Sequence, residues 1–192
     1  MLESRTPMHL LPRHSLYLNS YLREEAPKSH FFRSLRSDVE LGRADSQNDL
    51  GLLYAKGFGV PKDYVEAVNL FLRAAEQGHA DAQFNLGVMN AEGLGVQVDF
   101  ALAMKWFRKA AEQGAFAAES NLGFMYANGD GVEKDITEAY AWLNLAGSKG
   151  DETSRKNLGT LENGMTPAAI LEGQKRTQEL IKEIQDKRKK GA

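Results

Sequence analysis

Between residues 100 and 113 apolar side chains return every three or four positions: Ala103, Trp106, Phe107, Ala110 and Ala111. That spacing gathers them into one stripe of an α-helix, with polar positions on the opposite side. A second, shorter helix is predicted just before it, at about 83–91. Gly93 and Gly95 separate the two, because glycine accepts backbone angles that strain other residues. The pattern then recurs. Gly51, Gly87 and Gly123 lie 36 residues apart, as do Gly57, Gly93 and Gly129, Val60, Val96 and Val132, and Ala67, Ala103 and Ala139. A fixed period of about 20–50 residues signals stacked helical repeats. We call the first helix of each pair A and the second B. Asp63, Asp99 and Asp135 fall where B-helix N-caps belong, with a carboxylate able to accept from free backbone N–H groups. Glu66 and Glu138, three residues further on, predict capping boxes. Gly78, Gly114 and Gly150 are placed to end the B helices.

Clear units occupy 44–79, 80–115 and 116–151. Residues 28–43 read as a worn B helix that caps the N-terminal end, since Leu35, Val39 and Gly42 fall one period before Phe71, Ala75 and Gly78. Residues 152–186 read as a half repeat plus a capping helix. Asn157, Leu158 and Gly159 fall in register with Asn121, Leu122 and Gly123, predicting a fourth A helix at about 152–162. Asn163 and Gly164 stop it. Thr166 as N-cap and Pro167 at the first helical position then open a last helix to about 186, with Ile170, Thr177, Leu180, Ile181 and Ile184 as its inner stripe. That helix is expected to close the stack, and 187–192 to fray. Residues 1–27, punctuated by Pro7, Pro12 and Pro27, lie outside the period. They read as an irregular arm with a short helix at about 15–23, or as a docking segment for a partner or for the groove described below.

Composition narrows the chemistry. The 192 residues carry a formal net charge of −2, which gives no general pull towards nucleic acid or anionic membrane. The basic run 187–190 has no interleaved aromatic residues and reads as a solvated tail. There is no cysteine, hence no disulfide or thiolate metal site, which suits a reducing compartment. The first residues lack the apolar core of a secretory signal. Cytoplasmic residence is the expectation. His9, His14, His30 and His79 show no ligand spacing, so no metal or cofactor is expected. Gly57-Phe58-Gly59 and its two counterparts lack the third glycine and preceding strand of a phosphate loop and read as turns. Recurrent carboxylates read as caps and solvated faces, and no serine or lysine stands in a nucleophile motif.

Several columns of residues one period apart agree in all copies. The pattern is A-x-x-x-x-L-G-x-x-Y/N-x-x-G-x-G-V-x-x-D, then A-x-x-W/F-F/L-x-K/R-A-A-E-x-G. It resembles the Sel-1-like repeat, a relative of the tetratricopeptide repeat with a longer interhelical loop, over 44–151 and more weakly over 152–185. The resemblance implies an all-α, right-handed α/α solenoid of about three and a half repeats, A helices lining the concave face and B helices the convex one. It also implies a scaffold that binds proteins or peptides. Some secreted members carry one disulfide per repeat, and a few are linked to β-lactams or cell-wall fragments. The lack of cysteine sets this chain apart from that branch.

Helical spacing nominates a groove. With Leu50 and Tyr54 turned to the core, Asn48, Leu52 and Ala55 lean to the concave side, as do Phe84, Val88 and Ala91, then Ser120, Phe124 and Ala127. Beside them runs the column Asp49, Asn85, Asn121 and Asn157. Two readings stay open for the amides: they hydrogen-bond a partner's extended backbone, since an amide offers both donor and acceptor, or they tie neighbouring A helices together. Phe84 and Phe124 are either interface anchors or packing. The expected function is a non-catalytic, monomeric adaptor or scaffold that holds a partner peptide or helix in this groove. The alternatives are a secreted effector of the same fold acting on host proteins, and an enzyme or binding protein directed at cell-wall fragments or β-lactams.

Overall fold

The computed structural model describes the backbone of residues 28–191 and the side chains of 31–190. The arm at 1–27, with its expected helix at 15–23, lies outside the described residues. Among those residues the elements are α1 (Lys28–Glu40), α2 (Ala44–Lys56), α3 (Tyr64–Glu76), α4 (Ala80–Glu92), α5 (Phe100–Glu112), α6 (Phe116–Asn128), α7 (Ile136–Ser148), α8 (Glu152–Glu162) and α9 (Pro167–Gly191). Helices α2, α4, α6 and α8 are A helices; α1, α3, α5 and α7 are B helices. The A helices start earlier than their apolar runs suggest: α4 begins at Ala80, and His79 caps it by accepting from the Ala82 N–H at 3.2 Å. The described chain forms two compact units, 28–99 and 100–191, so the boundary falls inside the second repeat, between its two helices.

In the unit 28–99, α1 packs on α2, α2 on α3 and α3 on α4. Leu50 and Leu53 of α2 and Phe71, Ala74 and Ala75 of α3 are buried. Gly51 lets the helices of the pair approach: a Cβ there would lie 2.7 Å from the Phe71 ring. Asp63 caps α3, its Oδ1 accepting from the N–H groups of Val65 and Glu66, both at 3.0 Å. The reciprocal half of the expected capping box is replaced. The Asp63 N–H donates to the Tyr54 carbonyl at 3.0 Å, which folds the loop back onto its own A helix. Asp99 repeats that bond to Asn90 at 2.9 Å.

In the unit 100–191, α5 packs on α6, α6 on α7 and α7 on α8. Gly123 approaches its B helix as Gly51 does: a Cβ there would lie 2.7 Å from Leu143. Asp135 caps α7 through the Glu138 N–H and donates its own N–H to the Tyr126 carbonyl, each at 3.0 Å. The second loop glycine does more than turn the chain. Gly131 has φ +72°, and a Cβ on it would come 2.6 Å from the Phe100 carbonyl carbon. The loop therefore rests backbone to backbone on the start of the preceding B helix. Gly95 does the same against Tyr64 in the other unit.

Helix α9, expected to close the stack, packs along α7 and touches α5. Gly173 lies against the Tyr140 ring, and Asn144 donates to Thr177 at 3.3 Å. Of the predicted stripe, Thr177, Leu180 and Ile184 are buried, while Ile170 and Ile181 are half-buried. The predicted fray is corrected over 187–191, because the helix continues to Gly191. Lys187 pairs with Glu112, and Arg188 Nε donates to the Glu112 carbonyl, both at 2.5 Å. Two cations thus meet the carbonyl end of α5, where the helix dipole favours positive charge.

Candidate partner-binding faces of the A helices

The A helices carry polar side chains in places where burial would be costly without partners. Asn85 Nδ2 donates to Asn48 Oδ1 at 3.0 Å, tying α4 to α2. Ser154 donates to Ser120 at 2.8 Å, tying α8 to α6. The column of Asn48 and Ser120 therefore faces the following A helix within each unit. Leu52 and Phe124 stand one turn further on the same face and are 0% and 6% exposed. Phe84 and Val88, in the same columns, are 2% and 0% exposed. These positions form core, and so do Ala55, Ala91 and Ala127, which are also buried. The expectation that they lean into an open groove is corrected on that point: as placed, packing takes nearly all their surface. For Asn48 and Asn85 the hydrogen bond within the fold is the one observed.

The asparagine column divides. Asn85 and Asn157 are buried, whereas Asp49 and Asn121 are half-buried and reach the surface. Asn121 donates to the Ala117 carbonyl at 2.8 Å, one turn back on its own helix. Asn157 has no partner for its Nδ2 among the described residues. Asp49 and Asn121 are thus the accessible members, one on each unit.

Sequence reasoning passed over a second column. Gln83 donates to the Ala75 carbonyl at 3.1 Å, and Arg155 donates to the Gly147 carbonyl at 2.9 Å, each closing the C-terminal end of the preceding B helix. Gln47 accepts from Gln77 at 2.7 Å, and the fully buried Glu119 pairs with Lys149. Burial of a carboxylate demands such a partner. The available signal was a run of polar residues at one repeat position, Gln47, Gln83, Glu119 and Arg155. The clearest signal about Leu52 and Phe124 was also in the chain. On α8, which has no following A helix, the matching residues are Lys156 and Thr160, both exposed.

The displaced pKa values belong to the packing of α9, away from these faces. Burial and the hydrogen bond to Glu162 raise that of the Tyr140 hydroxyl. The Arg176 guanidinium is held charged, first by Glu183 and then by Glu138, and in return holds the Glu183 carboxyl below the usual carboxylate range. Among the described residues no cluster of three or more His, Asp or Glu side chains could hold a metal ion. His9 and His14 lie outside the described residues, as does the side chain of His30. His79 is used as a helix cap, its Nε2 lying 3.1 Å from Asp45. No described helix is long and apolar enough to cross a membrane.

The Sel1 repeat family model matches residues 44–79, 80–114 and 117–151, more than half of the chain. The chain belongs to the Sel1 repeat family. Its fold class is the all-α solenoid of helix-turn-helix repeats. The chain is similar to a Sel1 repeat protein from Oxalobacter formigenes, at 39% identity and a TM-score of 0.62, over 65% of this chain and 51% of that one. It is also similar to c5321, a protective antigen of uropathogenic Escherichia coli that displays an SLR fold. That match has 28% identity and a TM-score of 0.61, over 90% of this chain and 46% of that one. The chain spans about half the length of these two solved structures. No curated protein matches it. Sel1 repeats generally serve as protein-interaction modules, and that general role is the one family membership supports.

Proposed function

We propose that this Sel1 repeat protein is a non-catalytic adaptor that holds an extended or helical segment of a partner protein on its A-helix faces. What carries the reading is the repeat itself. Most of the chain is spent on a stacked framework of repeats that generally serve as protein-interaction modules. Asp49 in the unit 28–99, with a carboxylate that accepts from peptide N–H groups, and Asn121 in the unit 100–191, with an amide, reach the surface, and each is a contact point for a partner segment. An amide at such a place serves a peptide backbone as donor and acceptor together. Leu52, Phe84, Val88 and Phe124 act one layer below, fixing the faces on which the polar groups stand. The protein works without a cofactor, as a monomer, and in the cytoplasm.

The test is affinity capture with Asp49→Arg and Asn121→Arg, each checked for native helicity by circular dichroism. Asn128→Arg, at an exposed position, is the control. A partner retained by the wild type and the control but lost by either face variant supports the proposal. Equal retention by all of them overturns it.

A further inference from the structure

Among the described residues, helix α8 lacks the neighbour that α3 gives α2 and α7 gives α6. Gly51 lies under Phe71 of its own B helix, and Gly123 lies under Leu143 of its own. Gly159 is a later member of that column, and no atom of the described residues lies within 4 Å of the place where its Cβ would be. Leu158 and Leu161 are half-buried, whereas Leu122 and Met125, their counterparts on α6, are 0% and 1% exposed. By chain order α9 should be the B helix of α8, but it packs on α7. The result is an A helix with an empty B-helix seat, a glycine at its centre and two leucines beside it.

We propose that this face of α8 docks an amphipathic helix of a partner protein, and that the helix has B-helix chemistry. A bulky apolar side chain sits on Gly159, with small residues three and four positions later. The molecule supplies the template. Gly51 on α2 is covered by Phe71 and Gly123 on α6 by Leu143, and in both B helices small residues follow three and four positions later: Ala74 and Ala75, then Ala146 and Gly147. Both pairs are tightly packed, so the complement that fits Gly159 is already written twice in the chain. This deepens the adaptor reading by naming the kind of partner element, and it rests on that reading. It concerns a different surface from Asp49 and Asn121, so the two can fail separately.

The probe is a labelled peptide of residues 63–77, which carries its own N-cap and Phe71, titrated into the full chain and followed by fluorescence anisotropy. Saturable binding is expected. It should weaken by roughly tenfold or more in the Gly159→Leu protein, whose new side chain fills the seat, and with a Phe71→Asp peptide. Gly159→Leu should keep the fold, because leucine favours an exposed helix over glycine. Absent binding of the wild-type peptide, or equal binding by Gly159→Leu, overturns the proposal. Loss of binding in Asn121→Arg but not in Gly159→Leu overturns it too and moves the helix to the other face. Sedimentation of the wild type and of Gly159→Leu across concentrations distinguishes a second occupant. Self-association that Gly159→Leu abolishes would replace the partner helix by another copy of this chain.

Discussion

Helices α6 and α8 carry the same repeat positions and live in opposite surroundings. On α6, Gly123 is closed over by Leu143, and Phe124 is 6% exposed. On α8, no described residue closes over Gly159, and Thr160 stands exposed where α6 has Phe124. The comparison shows that a repeat position has no fixed energetic worth. A neighbour on the following A helix makes the Phe124 column core, and a neighbour on the B helix makes the Gly123 column a steric necessity. Remove the neighbour, as at the end of the array, and one column turns polar while the other loses its reason for glycine.

The sharpest way to break this comparison is at the core column. Phe124→Ala should cost about 3–5 kcal/mol, the usual range for truncating a packed aromatic residue. Thr160→Ala should stay within about 0.5 kcal/mol, as surface changes do. Denaturant titration of the two variants reads the difference directly, and equal costs would mean that the inner column is not core. The glycine column should give a change of sign. Gly123→Ala forces a methyl into Leu143 and should destabilise by about 1–3 kcal/mol. Gly159→Ala should stabilise by about 0.5–1 kcal/mol, because alanine is the better residue in an open helix interior. Thermal melts of this pair with the same sign would contradict the difference in neighbours.

Helix caps should erase the contrast. Asp135 accepts from the Glu138 N–H at 3.0 Å, and Asp151 from the Ser154 N–H at 2.8 Å. Both caps are local, so Asp135→Ala and Asp151→Ala should each cost about 1 kcal/mol whatever packs beyond them. A cost confined to one of them would show that tertiary context governs the caps as well. The smallest effect concerns pH. Glu183 is held low by its hydrogen bonds from Arg176, so it binds fewer protons folded than unfolded. Its contribution is present above the unfolded value of about 4.3 and disappears as pH falls through the lower folded value. Glu183→Gln should therefore lower the neutral region slightly and leave the acid end little changed, so that the acid limb of the stability curve flattens, as acid titration of the two proteins would show.

Much of the framework was legible because a repeat announces itself several times over. The helix pairs, the caps at Asp63 and Asp135 and the terminal glycines Gly78, Gly114 and Gly150, all with positive φ, follow from local chemistry. The faces were harder to read. Helical spacing shows which residues share a side of α4, but Asp81 to Ala91 are all buried, so every side of that helix is an inner side. Phe84 and Val88 could therefore look like groove residues until their burial was known. Register puts Gly159 in one column with Gly51 and Gly123, and only the path of α9 shows that, among the described residues, no B helix lies against it.

The amino-acid sequence by itself determined the secondary structure, the period and the family, because apolar spacing, caps and glycines act over a few residues and recur. The tertiary structure alone decided which surfaces remain. It laid α9 along α7, left α8 without a B helix, and separated Asp49 and Asn121 from their buried equivalents. The reason is that burial depends on neighbours distant in the chain, and a terminal unit keeps the local signals of its repeat after losing the neighbours that gave those signals their purpose.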